Sequence, residues 1–441
     1  GFTFVTTTDF FTGSSACIDR VARTATLNVA SLGTDPVARH FNGKVYVVNR
    51  SVASNIQILN PAAGFATIDQ WSTGNGSGPH DIYVRPDGVT AYITRYDMTT
   101  LLKMNLTTGA TLATINLSAF ADADGIPEMD QMFWQNDMLF VTVQRLDRNN
   151  FYAPTGTSYL VKIDMTTDTV VDMDPGTLGV QAVPLVRTNP YSEIVDKLSG
   201  GKVWFSAVGF FGVNDGGIIE TGAADPHTQT VILTEAAAGG DILDVARFTL
   251  DKSFAIVANA SFQTELIAFN PQTGAKIGPT IYNPGGYDLS DIEVGLDLLV
   301  ADRKATNPGI RFFDPSTHAQ QTVNPVSTGL PPFDVLEQVE LPVGVGDTPP
   351  AAALGRNYPN PFNPDTSIPF SLARAGRATL TIYDVNGRFV AMLLDEHRGA
   401  GEHVARWDGR DAAGRASSSG VYFARLQANG IVATHKLVLL K

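Results

Sequence analysis

"PHDIYVRPDGVTAYITRYDMTTLLKMNLTTGATLATINL" runs from Pro79 to Leu117. It divides into four short apolar runs, "DIYV", "TAYITR", "TLLKMN" and "TLATIN", separated by "RPDG", "YDMTT" and "LTTG". Alternating β-branched and aromatic residues between Gly-, Pro- and Thr-rich turns read as four antiparallel strands. The third run ends in Asn105, whose side chain can bond the backbone of the turn that follows.

The same unit recurs. Third-strand counterparts are "NIQILNPAAG" (55–64), "SYLVKIDMTTD" (158–168), "TELIAFNPQTG" (264–274) and "PGIRFFDPSTH" (308–318). Second strands recur as "KVYVVN", "MLFVTV", "KVWFSA", "FAIVAN" and "DLLVAD". First strands fall near residues 35, 81, 130, 193, 244 and 291, and the unit at about 184–233 is irregular. Four strands repeated at a period of 40 to 50 residues are the signature of a β-propeller blade. "FTFVTTTDFF", "SACIDRVART" and "ATLNVA", within residues 1–30, supply second to fourth strands with no first strand before them. "LPPFDVLEQVEL" (330–341) supplies a first strand with nothing after it. The expectation is an all-β, seven-bladed propeller over residues 1–341, its last blade built from 1–30 plus 330–341. Closure of this kind removes the open sheet edge.

Composition agrees with an all-β reading. The 441 residues include 41 Gly and 25 Pro, and 24 Phe and 12 Tyr supply a core. No long stretch has helical apolar spacing, and none is apolar enough to span a membrane. The net charge of −13 argues against nucleic acid as a partner. That charge is divided unevenly: residues 355–441 hold 11 basic and 7 acidic side chains, the remainder 20 and 37. Two units of opposite charge are expected. The one cysteine, Cys17, allows no intrachain disulfide and sits in an expected strand, as a buried thiol does. The chain opens on Gly1, not Met, as processed chains do, and no signal peptide is visible.

"PHDIYVRPDGVTAYITR" resembles the YVTN-type repeats of surface-layer-like propellers, with Asp81 where glycine is usual. That resemblance implies a fold and a surface or secreted setting, not an activity.

Residues 342–354, "PVGVGDTPPAAAL", read as a linker. The segment 355–441 reads as a small antiparallel β-sandwich, with a hairpin turn at "DVNGR" (384–388). It closely resembles the C-terminal sorting domain of type IX secretion, related to FlgD-like Ig-like domains. The matching motifs are "NYPNPFNP" (357–364), "IYDVNGR" (382–388), "AGEHVARWDGRD" (400–411), "SGVYFARL" (419–426) and "KLVLLK" (436–441). The positions carried over are Asn357, Tyr358, Pro359, Asn360, Pro361, Phe362, Gly387, Arg388, Trp407, Asp408, Gly420, Tyr422, Lys436 and Lys441. The resemblance implies the type IX export machinery as a partner, an outer-surface or extracellular address, and a bacterial source of the Bacteroidetes kind.

Candidate sites follow from the repeat. Asp35, Asp81, Asp130, Glu193, Asp244, Asp291 and Asp334 lie at or near the start of each first strand, which lines the channel of a propeller. Crowded carboxylates could hold Ca²⁺ or a cationic ligand; alternatively, each caps its own turn. His80 beside Asp81 could form an acid–base pair, although neighbours in a strand point to opposite faces. Asp122, Asp124 and Glu128 in "ADADGIPEMD" suggest a calcium loop without its full pattern, or a solvated acidic loop. Long insertions carry Phe151, Tyr152, Tyr191, Phe210 and Phe211, which could form a binding face or cover blade edges. The expected function is non-catalytic binding, adhesion to a surface protein or glycan, or self-assembly into a filament or layer. No cofactor is required, and calcium is the one suggested. The competing expectation is a lactonase-like propeller hydrolase with a metal or acid site at the channel mouth.

Overall fold

The computed structural model describes residues 2–194, 202–339, 352–354, 357, 360–372, 375–385, 387–399, 401–428 and 431–440. The chain divides into two compact units, Gly1–Leu341 and Pro342–Lys441. Both are built from antiparallel strands.

In the first unit the repeats fold as sheets, numbered here by their first strands. Sheet one holds Pro36–Phe41, Lys44–Asn49, Asn55–Asn60 and Ala66–Ser72. Sheet two holds Pro79–Val84, Thr90–Arg95, Thr100–Asn105 and Thr111–Asn116. Sheet three runs Met129–Gln135, Met138–Val143, Tyr159–Asp164 and Thr169–Val170, with Val183–Pro184 also on its third strand. Sheet four has Lys202–Ala207, Gly217–Gly222 and Thr230–Thr234; among the described residues its first-strand position carries an isolated bridge, Pro190 to Ala207. Sheet five holds Gly240–Arg247, Ser253–Asn259, Thr264–Asn270 and Ala275–Tyr282. Sheet six holds Leu289–Val294, Leu298–Asp302 and Gly309–Phe313. In sheet seven, Pro332–Val339 pairs with Phe2–Thr8, followed by Gly13–Asp19 and Thr24–Leu32, so both ends of the unit share one sheet.

The first strands lie side by side. Pro332–Val339 packs against those of sheets six and one, sheet one against two, two against three, and six against five. Second strands are apolar at nearly every position because both their faces meet a neighbouring sheet. Val45, Tyr46, Val47 and Val48 are all buried. Turns after third strands close as their residues require: Asn105 Oδ1 accepts the N–H groups of Thr107 and Thr108 (2.9 and 3.0 Å), and Asn270 and Asp314 do the same for their own turns. Cys17 is buried, and burial pushes its thiol up to about 11, so it is not a reactive thiolate.

The second unit is a two-sheet sandwich. One sheet orders Ala352–Leu354, Thr366–Leu372 and Gly401–Trp407; the other orders Phe389–Arg398, Gly376–Asp384, Gly420–Ala428 and Ile431–Leu439. Ala352–Leu354 were assigned to the linker on composition. They instead pair with Thr366–Leu372, because Leu354 finds the apolar core of the sandwich. Linker residues 342–351 lie outside the described residues.

Candidate functional site: a cavity over the first strands

The first-strand acids do not play one role. In sheets two, five, six and seven a carboxylate reaches across to the neighbouring sheet. Asp81 Oδ2 accepts the N–H of Met132 (2.9 Å), Asp244 Oδ2 that of Ile292 (2.9 Å), Asp291 Oδ2 that of Val335 (2.5 Å), and Asp334 Oδ2 that of Ala38 (2.8 Å). These N–H groups follow Gln131, Asp291, Asp334 and Val37, so the equivalent positions in sheets three and one are Gln131 and Val37, not acids. Each clip sits where the first strand bulges against the second. In sheet two a second-strand hydroxyl takes the freed backbone: the Asp81 N–H donates to Thr94 Oγ1 (2.8 Å). Thr142 and Thr6 serve sheets three and seven.

The expectation that each acid caps its own turn is corrected in part: all four bond the next sheet, while Asp244 and Asp291 also accept the adjacent N–H of Val245 and Ile292 (2.8 and 2.9 Å). The expectation of seven equivalent acids is corrected too. Asp35, Asp130 and Glu193 are displaced by one or two residues, and a one-residue shift turns a strand side chain to the opposite face. Asp35 pairs with Arg50 (2.7 Å), and Glu193 with Arg39 (2.5 Å). Asp130 lies 3.0 Å from His80 Nδ1 and accepts from Gln144 Nε2 (3.1 Å). His80 thus pairs with Asp130 of the next sheet, not with Asp81, and stacks on Tyr96 at 4.1 Å.

Arg39 had no signal in the sequence beyond being a basic residue on a first strand. Its guanidinium meets Asp81 (2.8 Å), Gln131 (3.1 Å), Glu193 and its neighbour's carbonyl at Ala38 (2.8 Å). It occupies the place among these acids that a cation would take. Asp81 is pushed up to about 6, by burial first, with Arg39 opposing. Burial and the neighbouring carboxylates hold Asp291 and Asp334 well above the usual range. In the 121–130 loop, Arg148 fills the centre: it bonds the buried Glu128 (2.8 Å) and Asp97 (2.6 Å) and lies 3.7 Å from Asp124, while Asp122 accepts from Thr155 (2.7 Å). Among the described residues no group of three or more His, Cys, Asp or Glu side chains is arranged to hold a metal ion.

Above the first strands lies a cavity of about 640 Å³. Asp35, Asp130, Glu193, Asp244, Asp291 and Asp334 all reach its lining, as does His80; Asp81, turned to Arg39, does not. From the insertions come Tyr152, Tyr191 and Phe211, the last two edge-to-face at 5.5 Å. Phe151, 96 % exposed, and Phe210 point elsewhere. The lining residues that sequence reasoning missed include Phe10, Arg50, Tyr96, Tyr287, Arg303 and Phe333. They come from five different sheets or their loops, so no local motif could announce them.

In the sandwich, the motif residues build the fold. Phe362 and Trp407 are buried with ring centroids 5.4 Å apart, and Trp407 meets Tyr422 at 5.0 Å. Asn357 donates to Thr366 (2.8 Å), and Asn360 clips the last strand through the Val438 N–H (2.9 Å). Gly387 turns the 384–388 hairpin at φ 73°, where the Arg388 N–H donates to Asp384 (2.9 Å). Gly420 opens a strand; Pro361, Asp408 and Lys436 are exposed. Tyr358, Pro359 and Lys441 lie outside the described residues.

Residues 363–430 match the family model for the FlgD Ig-like domain, so the chain carries an Ig-like domain of that kind. No curated protein matches the chain. Solved structures with propeller-like folds are similar to it. The periplasmic gluconolactonase PpgL of Pseudomonas aeruginosa is 12 % identical, with 77 % of this chain and 99 % of that one covered, at a TM-score of 0.51. A putative 6-phosphogluconolactonase from Bacteroides uniformis is 16 % identical over 76 % and 98 %, at 0.49. PorZ, a surface component of the type-IX secretion system of Porphyromonas gingivalis, is 15 % identical at 0.48; 97 % of this chain is covered, but it spans only 63 % of PorZ. At such identities these likenesses speak to fold alone.

Proposed function

We propose that this is a secreted or surface-displayed binding protein. Its first unit is a seven-bladed propeller closed by its own two ends, and its Ig-like unit is the address read by type IX export. The pairing of Pro332–Val339 with Phe2–Thr8 supports the closure. The observation that carries binding is the cavity: its volume lies in the usual range for ligand sites, roughly 300–1,000 Å³. Aromatic and polar side chains from several sheets converge on it, and the carboxylates that line it are engaged by backbone N–H groups, His80, Gln144, Arg39 and Arg50. A surface protein or glycan is the partner class that suits such a wall. The test is retention of the full chain on a glycan array, with Tyr191→Ala and Phe211→Ala lowering it. No retention on any glycan or surface extract sinks the reading. Export is tested separately: removing residues 355–441 traps the protein inside the cell if the address reading is right.

A hydrolytic reading has one observation in its favour. His80 is held at Nδ1 by Asp130, and among the described residues its Nε2 has no partner beside the cavity, as a general base requires. Lactone turnover lost in His80→Asn would establish it. Self-assembly rests on the opposite charges of the two units, and a monodisperse monomer by light scattering at high concentration and low salt counts against it.

A further inference from the structure

We propose that the cavity takes an organic cation bearing a methylated ammonium group, held by the charge of its carboxylates and the faces of its aromatic rings. This rests on the cavity being a binding site and names the group on the ligand that it reads. The described lining holds six carboxyl groups against two arginines, and both arginines are engaged. Arg303 donates to Pro332 O (2.8 Å) and Thr8 O (2.9 Å), and Arg50 pairs with Asp35 (2.7 Å). Arg39 is matched by Asp81 and Glu193. The remaining acids gather on one side. Glu193, Asp244 and Asp291 line both this cavity and a smaller one of about 90 Å³, so they stand together between the two spaces. Burial first, then Asp244 and Glu193, hold Asp291 well above the usual carboxylate range; burial, then Glu193 and Asp291, do the same to Asp334. Crowded buried acids keep protons because their charges repel, and an entering cation takes the place of those protons.

The form of the cation follows from the acceptors. Both oxygens of Asp244 already take N–H groups, those of Val245 and Ile292 (2.8 and 2.9 Å). Both oxygens of Asp291 take those of Ile292 and Val335 (2.9 and 2.5 Å). Asp130 gives its two to His80 and Gln144. Such groups offer charge rather than directed lone pairs, which suits a methylated ammonium, a cation held by aromatic faces. Seven Phe and Tyr side chains line the cavity. Tyr191 meets Phe211 edge-to-face at 5.5 Å, shares a hydrogen bond with Tyr287, and feels the charge of Asp244, so this aromatic corner adjoins the acids. An independent observation points to a ligand of positive polarity. Asn189 lines the cavity and is 2 % exposed; its Nδ2 donates to Gly209 O (3.1 Å), while among the described residues its Oδ1 meets no donor. The methyl C–H groups beside a positive nitrogen are weak donors to such an oxygen.

The test is calorimetric titration of the full chain with choline, with dimethylbutanol, its uncharged carbon isostere, and with ethanolamine. The isostere keeps the shape and removes the charge; ethanolamine keeps the charge and removes the methyl groups. Choline is expected to bind at least about tenfold tighter than either. Glu193→Gln is expected to weaken choline at least about threefold and to leave dimethylbutanol unchanged, because it removes charge and not shape. Phe211→Leu is expected to weaken both. Thermal unfolding of each variant establishes that it is folded. Equal binding of choline and dimethylbutanol overturns the cation inference and leaves the binding reading standing. Tighter binding of ethanolamine overturns the methylated form. If choline does not bind, this inference fails, while retention on the array and surface extract decides the binding reading by itself.

Discussion

Asp81 holds two neighbours at once: one oxygen takes the Met132 N–H and the other the Arg39 guanidinium. Asp81→Ala leaves a buried donor unmet and Arg39 short of an anion. The expected loss in denaturant unfolding is about 3–5 kcal/mol, the usual consequence of breaking a buried pair. Asp81→Asn keeps an acceptor for Met132 and is expected to lose less, about 1–2 kcal/mol. Equal losses would show that the charge contributes nothing. Asp334 tests the effect of burial on a carboxyl. Its carboxyl is held well above the usual range by burial and by Glu193, so its folded form favours the proton. Such a group contributes stability below about pH 4, its unfolded value, and loses it as pH rises through the folded one. Asparagine cannot ionise. The melting temperature of Asp334→Asn relative to the natural protein is therefore expected to rise between pH 4.5 and pH 8. A pH-independent difference would mean that the folded form does not favour the proton on Asp334.

At the scale of the element, the turn after each third strand is a small machine with known parts. Gly109 closes the turn opened by Asn105 at φ 70°, where a side chain is strained. A Cβ there would lie 2.2 Å from the Trp71 ring of sheet one, whose Nε1–H donates to Leu106 O (2.8 Å). Gly109→Ala is expected to cost about 2 kcal/mol or more, from left-handed strain plus displacement of the indole, with a shift in tryptophan emission. An unchanged spectrum would place Trp71 elsewhere. These turns were legible in sequence because their chemistry is local: Asn105, Asn270 and Asp314 act on residues two or three ahead. Strand order was legible for the same reason, down to the pairing of the two ends. The first-strand acids were only half legible. Spacing brought Asp130 and Glu193 into line with Asp81, but bulges moved the register, and bulges leave no signature in an apolar run. Arg39 and Arg303 were invisible because their partners lie on other sheets.

At the scale of the whole molecule, the chain folds around separate cores. Among the described residues, the sandwich core, with Phe362, Trp407, Tyr422 and Leu437, contains residues of the second unit alone, and the remaining clusters contain residues of the first alone. Cores that share no side chains can melt separately, and a chain so built need not unfold in one step. Trp407 is the place to test this. It is 1 % exposed, meets Phe362 and Tyr422, and donates its Nε1–H to Arg410 O (2.8 Å). Trp407→Ala removes a large buried ring at about 3–5 kcal/mol. Scanning calorimetry is expected to resolve two transitions, with only the sandwich's transition displaced downward in the variant. One merged transition, lowered as a whole, would mean that the units stabilise each other. Two transitions with one displaced would make the Ig-like unit an independent module whose motif residues serve its own fold first.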